Sequence, residues 1–333
     1  MLDVAEDAAS VFADAGVVVL RNVIATDVIE GLRAVVDTRM NAVGTNETGY
    51  DLQAVADQVW AQKEAIETGA ANRFDFSGVP GLVLGDKKAR PVMDGVASAD
   101  HAHGRFFYEA GQWRSEEAIR RAAFDTELPE RVAELLGAKA LRFFEDTIFA
   151  RDPHTPQATV FHQDLDYFKI SGEGRAAIAW VPLDPCSLEN GVTRYIRGSH
   201  KWGQVFAANM FFSSTPLPES EHMRLEDIEA NEGDYDIVHF DVEPGDVIIH
   251  DVLTVHGAGG NPSGRQRRAI SFRYCDQDCR YFERPGAIPQ TGISHNLRTG
   301  DELACRDYPC VFPKPWPGFE LANLDYQSGG LNG

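Results

Sequence analysis

The chain has 333 residues, of which 43% are hydrophobic and 10% aromatic, enough apolar material for one large domain or two ordinary ones. A formal net charge of -20 argues against partners with phosphate backbones or anionic membrane surfaces, since both would repel it. Five cysteines (Cys186, Cys275, Cys279, Cys305 and Cys310) are odd in number and sparse, which fits free thiols and not a disulfide framework or a zinc site.

The first residues, MLDVAEDAASVF, have neither the basic start nor the apolar run of a signal peptide. No apolar stretch approaches the roughly 18 residues of a membrane span, so a cytoplasmic protein is expected. Residues 3–15 carry apolar positions at helical spacing, and Gly16 then opens VVVL, a short buried strand. Thr26 or Asp27 is expected to cap a second helix that places Val28, Ile29, Leu32, Val35 and Val36 on one face. Within 44–110 one helix is expected near 52–66, followed by a Gly- and Asp-rich stretch without a clear period. That stretch contains an HxH pair, His101 and His103, whose polar setting SADHAHGR reads as a solvated loop and not a ligand pair. From Ser115 the pattern is helical again, and PERVAELLG, residues 129–137, predicts a short helix ended by its glycine.

Beyond this point the character changes. LRFFEDTIFAR, RAAIAWVPLD, VTRYI, IVHFDV, DVIIHDV and AISFRYC are short, β-rich and separated by turn residues, the spacing of a sandwich or barrel. There is no internal repeat and no low-complexity linker. The expectation is therefore a single α+β domain over 1–333, with helices supporting a β core.

Two HxD pairs occur, His162–Asp164 and His239–Asp241. In a strand, residues i and i+2 share a face, so either pair could converge on a metal. Context separates them. The first lies in VFHQDLDYF, where Tyr167 and Phe168 could wall a pocket; the second precedes the turn Pro244-Gly245-Asp246 and reads as ordinary strand. Downstream, His256 ends an apolar strand and enters a glycine-rich turn, and eleven residues later Arg267 begins another strand. Two histidines and a carboxylate with open positions form the facial triad of mononuclear iron(II) oxygenases, and a nearby arginine suits the far carboxylate of 2-oxoglutarate. Arg265, Arg268 and Arg273 compete for that role. Alternation puts Arg267 and Arg273 on one face and Arg268 on the other, and proximity to His256 favours Arg267. His250 reads as a packed strand residue, and His200, in RGSHKWG, as a turn-fixing histidine.

Several segments resemble the phytanoyl-CoA dioxygenase family of Fe(II)/2-oxoglutarate oxygenases. DAGVVVLRNVIATDVIEGLRAVVD is similar to its opening segment, FHQDLDYF to its HxD strand, AIAWVPLDPCSLENGVTRYIRGSHKWG to its central core and VEPGDVIIHDVLTVHGAGGNPSGRQRRAISFRY to its closing strands. The resemblance implies a double-stranded β-helix, or jelly-roll, core. It also implies that His162, Asp164 and His256 hold iron, that Arg267 holds 2-oxoglutarate and that Trp180 lines the cosubstrate pocket. Some relatives carry a serine two residues after the distal histidine; here that position is Ala258, so Ser271 or Thr193 would have to supply the hydroxyl. Residues 44–110 fall outside the resemblance and are left for a lid or substrate-binding part.

The chemistry implied is oxidative decarboxylation of 2-oxoglutarate by O2, giving succinate and CO2, coupled to hydroxylation of a C–H bond. A carboxylate at position 164 favours oxygenation over halogenation, because relatives that halogenate have glycine or alanine there. Without a run of Lys and Arg to hold the phosphates of coenzyme A, a small metabolite is the expected substrate, with no nucleic-acid or membrane partner. Self-association into a homo-oligomer is compatible with the sequence. A silent jelly-roll binder and a zinc hydrolase on the same ligands are the alternatives, and the arginine clamp argues against both.

Overall fold

The computed structural model describes residues 7–42, 49–70, 104–214, 216–217, 220–284, 290 and 292–314. In the N-terminal part, α1 (Ala8–Ala15) leads into β1 (Val17–Leu20), and α2 (Thr26–Asn41) follows. Next come β2 (Tyr50–Asp51), α3 (Leu52–Glu67), β3 (Phe106–Ala110), α4 (Glu117–Arg120) and α5 (Leu128–Leu136). The β-rich remainder contains β4 (Leu141–Arg151), β5 (Thr159–His162), β6 (Ala176–Pro182) and β7 (Thr193–Ile196). It continues through β8 (Ile237–His239), β9 (Val247–Asp251), β10 (His256–Ala258), β11 (Arg267–Asp276) and β12 (Cys310–Phe312). The HxH pair His101–His103 lies outside the described residues.

The local signals mostly hold. Gly137 closes α5 in the left-handed conformation, as its sequence position predicts. The start of α2 differs from expectation: neither Thr26 nor Asp27 caps it. Ala25 occupies the capping position with extended backbone, because its carbonyl already accepts from the Val28 and Ile29 amides. Asp27 instead sits in the first turn, where its charge favours the helix N-terminus, and pairs with Arg121 at 2.6 Å.

The named strands form two antiparallel sheets. The larger runs β1-β9-β6-β11-β4-β3-β2, with β12 also on β4; the smaller runs β5-β10-β7-β8. This is the jelly roll that the strand spacing and the family resemblance imply. Alternation along β11 assigns its two faces. Ile270, Phe272 and Tyr274 join Ile29, Leu32, Val36, Val132 and Leu136 in the core beneath the helices. The opposite face turns Ala269 towards the smaller sheet, where Trp180, Ile248 and Tyr195 share its cluster. Burying both faces requires apolar residues at both alternations, so the few polar side chains between the sheets stand out. All five cysteines are free thiols.

A candidate metal centre between the sheets

His162 ends β5 and His256 begins β10, and the two are direct partners across that antiparallel pair. Their ring centroids are 4.3 Å apart. Each ring is fixed from behind: His162 Nδ1 lies 2.8 Å from the Val160 carbonyl and His256 Nδ1 2.9 Å from the Thr254 carbonyl. A carbonyl only accepts, so both Nδ1 atoms carry a proton, and both rings turn Nε2, the nitrogen that holds the lone pair in this tautomer, to the interior. Phe211 and Tyr167 pack edge-on against the His162 ring.

Asp164 reaches the same point by a route the sequence pattern does not anticipate. Strand β5 stops at His162, and Asp164 has turned to φ -83, ψ -26 at the head of a short 3-10 turn, Leu165–Tyr167. Convergence therefore comes from a turn and not from strand alternation. Gln163 is the reason the turn holds: its side chain donates to the Leu253 carbonyl at 2.8 Å and accepts from the Phe206 amide at 3.0 Å. The Asp164 amide adds a bond to the Val252 carbonyl, tying the turn to the chain that follows β9.

The His162 and His256 Nε2 atoms lie 3.5 and 4.0 Å from Asp164 Oδ1. One ligand atom from each of the three residues lies within 4.8 Å of the others, the only such buried group of potential metal ligands among the described residues. Burial alone would raise the Asp164 carboxyl, but His256, with His162 and His250, faces it and holds it well below the usual range. Burial, reinforced by His162 and His250, pushes His256 well down, favouring the neutral ring. Two imidazoles with Nε2 turned inward and one ionised carboxylate suit a divalent iron ion and leave coordination positions open.

The cavity beyond the triad is lined by Trp180, Thr193, Arg267 and Ser271, and also by Arg151 and His250. Arg267 is fully buried, lies over the Trp180 ring at 5.5 Å and donates to the Gly191 carbonyl. Gly191 is left-handed at φ +78, and an added Cβ would stand 2.5 Å from the Gly260 carbonyl oxygen, so only glycine brings this loop close enough. Arg268 points to the other face and is occupied by Asp184 at 2.7 Å and Asp37 at 2.6 Å. Arg273 is inward but donates to Thr147 and lies 3.5 Å from Glu145, whereas Arg267 has no carboxylate within ion-pair distance among the described residues.

Sequence reading passed over Arg151. It is the direct partner of Arg267 across β4 and β11, fully buried, and its only hydrogen bond among the described residues goes to Thr159. Burial, then the neighbouring Arg267, holds its guanidinium well below the ordinary value. The available signal was a charged residue at the end of β4 in the same alternation as Thr147 and Glu145, which meet the inward Arg273. Two adjacent buried cations without a counter-ion make a place for a carboxylate. His250, expected to be ordinary packing, lies against Asp164 instead, with Nε2 3.5 Å from Oδ2. His239 and Asp241 are exposed, away from the cavity. His200 reaches the Ala13 carbonyl at 3.2 Å and ties its turn to α1, in keeping with a structural part.

The sequence profile of the phytanoyl-CoA dioxygenase family matches residues 12–269. The peroxisomal phytanoyl-CoA dioxygenase of Homo sapiens is 29% identical over 142 residues, covering 41% of this chain and 40% of that protein. An iron/alpha-ketoglutarate-dependent dioxygenase of Aspergillus calidoustus is 30% identical over 122 residues, 36% of this chain and 34% of that one. The aligned segment thus spans about two fifths or less of these relatives' length. In fold, the chain is similar to a solved non-heme alpha-ketoglutarate-dependent carbocyclase from nogalamycin biosynthesis, with a TM-score of 0.59, 20% identity and coverage of 93% of this chain and 97% of that one. No described helix is long and apolar enough to cross a membrane.

Proposed function

Because the chain belongs to the phytanoyl-CoA dioxygenase family, we propose that it is an Fe(II)- and 2-oxoglutarate-dependent oxygenase that hydroxylates a C–H bond of a small-molecule metabolite in the cytoplasm. The observation that carries this reading is the pairing of the His162, Asp164 and His256 donor set with a buried arginine, Arg267, in one cavity. Iron bound there would supply the activation of O2 that drives oxidation of both cosubstrate and substrate.

The chain's own residues orient and shield. His162 and His256 would present Nε2, and Asp164 Oδ1, to the metal on one side, leaving the other side to cosubstrate and O2. Arg267, with Arg151 opposite it, would hold the far carboxylate of 2-oxoglutarate by charge-assisted hydrogen bonds. Thr193 and Ser271 line the same cavity and supply the hydroxyls that Ala258 lacks. Phe106, Phe149 and Phe211 wall it, which keeps water from the reacting centre and suits a substrate with an apolar body.

The test is succinate release by anaerobically iron-loaded protein on exposure to O2 and 2-oxoglutarate, screened across small-molecule pools. Turnover that needs both iron and 2-oxoglutarate supports the reading. A protein that binds neither, or that hydrolyses substrates with zinc in place of iron, overturns it.

A further inference from the structure

His250 sits on β9, paired with Val17 of β1 on one side and Ile178 of β6 on the other, and its side chain lines the cavity. It is 2% exposed, yet neither ring nitrogen has a hydrogen-bond partner among the described residues. A histidine that merely fills a strand position is seldom left so, because an unpaired buried polar group costs stability.

Its orientation gives it a use. Both ligand histidines turn Nε2 to Oδ1 of Asp164, whereas His250 turns Nε2 to Oδ2, 3.5 Å away. The ring is held in place by His256, 4.4 Å off, and by Tyr195, 5.2 Å off. The tautomers differ as well. His162 and His256 have backbone acceptors that commit the proton to Nδ1, but His250 Nδ1 has none. Of the three imidazoles, His250 alone is free to carry its proton on Nε2, facing a carboxylate oxygen. It lies outside the group of His162, Asp164 and His256 ligand atoms that are all within 4.8 Å of one another.

We propose that His250 is a positioning residue for Asp164: Nε2–H donates to Oδ2 and leaves Oδ1 alone to bind the ion. The inference rests on the iron site proposed above. Without that donor the carboxylate would no longer be held in one orientation, and the ion would be bound less tightly. Outer partners of this kind typically change metal affinity by about 10–100-fold.

The experiment titrates Co(II), a spectroscopic stand-in for iron, into metal-free full-length protein and its His250→Phe and His250→Gln variants, and records thermal melts without metal. Phenylalanine keeps the ring but has no donor; glutamine restores an N–H. The expected result is a roughly 10–100-fold loss of Co(II) affinity and an altered visible spectrum in His250→Phe. His250→Gln should remain within a few-fold of wild type. Metal-free melts of both variants check that each one folds, so that a lost affinity is read at the site. Equal affinity in wild type and His250→Phe overturns the proposal, as does a glutamine variant as weak as the phenylalanine one. Failure of the wild-type protein to bind Co(II) would instead overturn the iron-site reading, and the inference with it.

Discussion

His162 and His256 stand opposite each other on β5 and β10, and both direct Nε2 at the same oxygen of Asp164. Neighbouring strands are about 5 Å apart, so this register sets two imidazoles at the spacing a single ion can bridge. The backbone acceptors behind each ring make the arrangement pre-organised.

Alanine at His162 or His256 should abolish iron-dependent 2-oxoglutarate turnover. His239→Ala should leave most of it, because His239 is exposed at the end of β8. Succinate release from the three purified variants checks this, and near-normal turnover in His162→Ala would sink the assignment.

Arg267→Ala should raise the KM for 2-oxoglutarate by roughly two orders of magnitude or more, since a buried charge-assisted contact contributes about 2–5 kcal/mol. Arg268→Ala should leave KM nearly unchanged and instead lower the melting temperature, because it removes the guanidinium's bonds to Asp184 and Asp37. Arg151→Met should also raise KM, because it removes the second buried cation, whose guanidinium lies over the Phe106 ring. Identical kinetics for Arg267→Ala and Arg268→Ala would contradict the inward register of β11.

Asp164→Gly removes the one anionic ligand without touching either histidine or Arg267. Metal affinity should fall and hydroxylation should cease, with chloride gaining access to the vacated position. Product analysis by mass spectrometry at high chloride and saturating iron reads the outcome. Full hydroxylase activity in this variant would show that the carboxylate is not a required ligand.

Asp146 supplies a pH test remote from the metal. Burial pushes its carboxyl from 3.8 up to about 7, against the hydrogen bonds it accepts from the Trp113 and Gln112 amides. Between those two values the folded protein holds a proton that the unfolded chain has lost, so this group's contribution to stability declines as pH rises through the window. Asp146→Asn cannot ionise. Its melting temperature relative to wild type should therefore be more favourable at pH 8 than at pH 5, and a difference independent of pH would rule out a raised Asp146.

Much of this protein is determined by local sequence. The helix stop at Gly137, the strand VVVL and the facing of Arg267 against Arg268 follow from periodicity and turn chemistry, which act over a few residues. The double-stranded β-helix was legible because whole segments resemble one family. What the tertiary structure alone decided are relations between distant strands. Asp164 converges with His162 through a turn anchored by Gln163 to Leu253 and Phe206, contacts that no i, i+2 rule contains. Arg151 meets Arg267 across 116 positions of chain because antiparallel register sets them side by side, and His250 meets Asp164 across 86 positions because strands of the two sheets face each other. A sequence pattern records which face of a strand a residue takes; which residue of another strand it meets depends on register, and register is settled only when the two sheets close over a shared core.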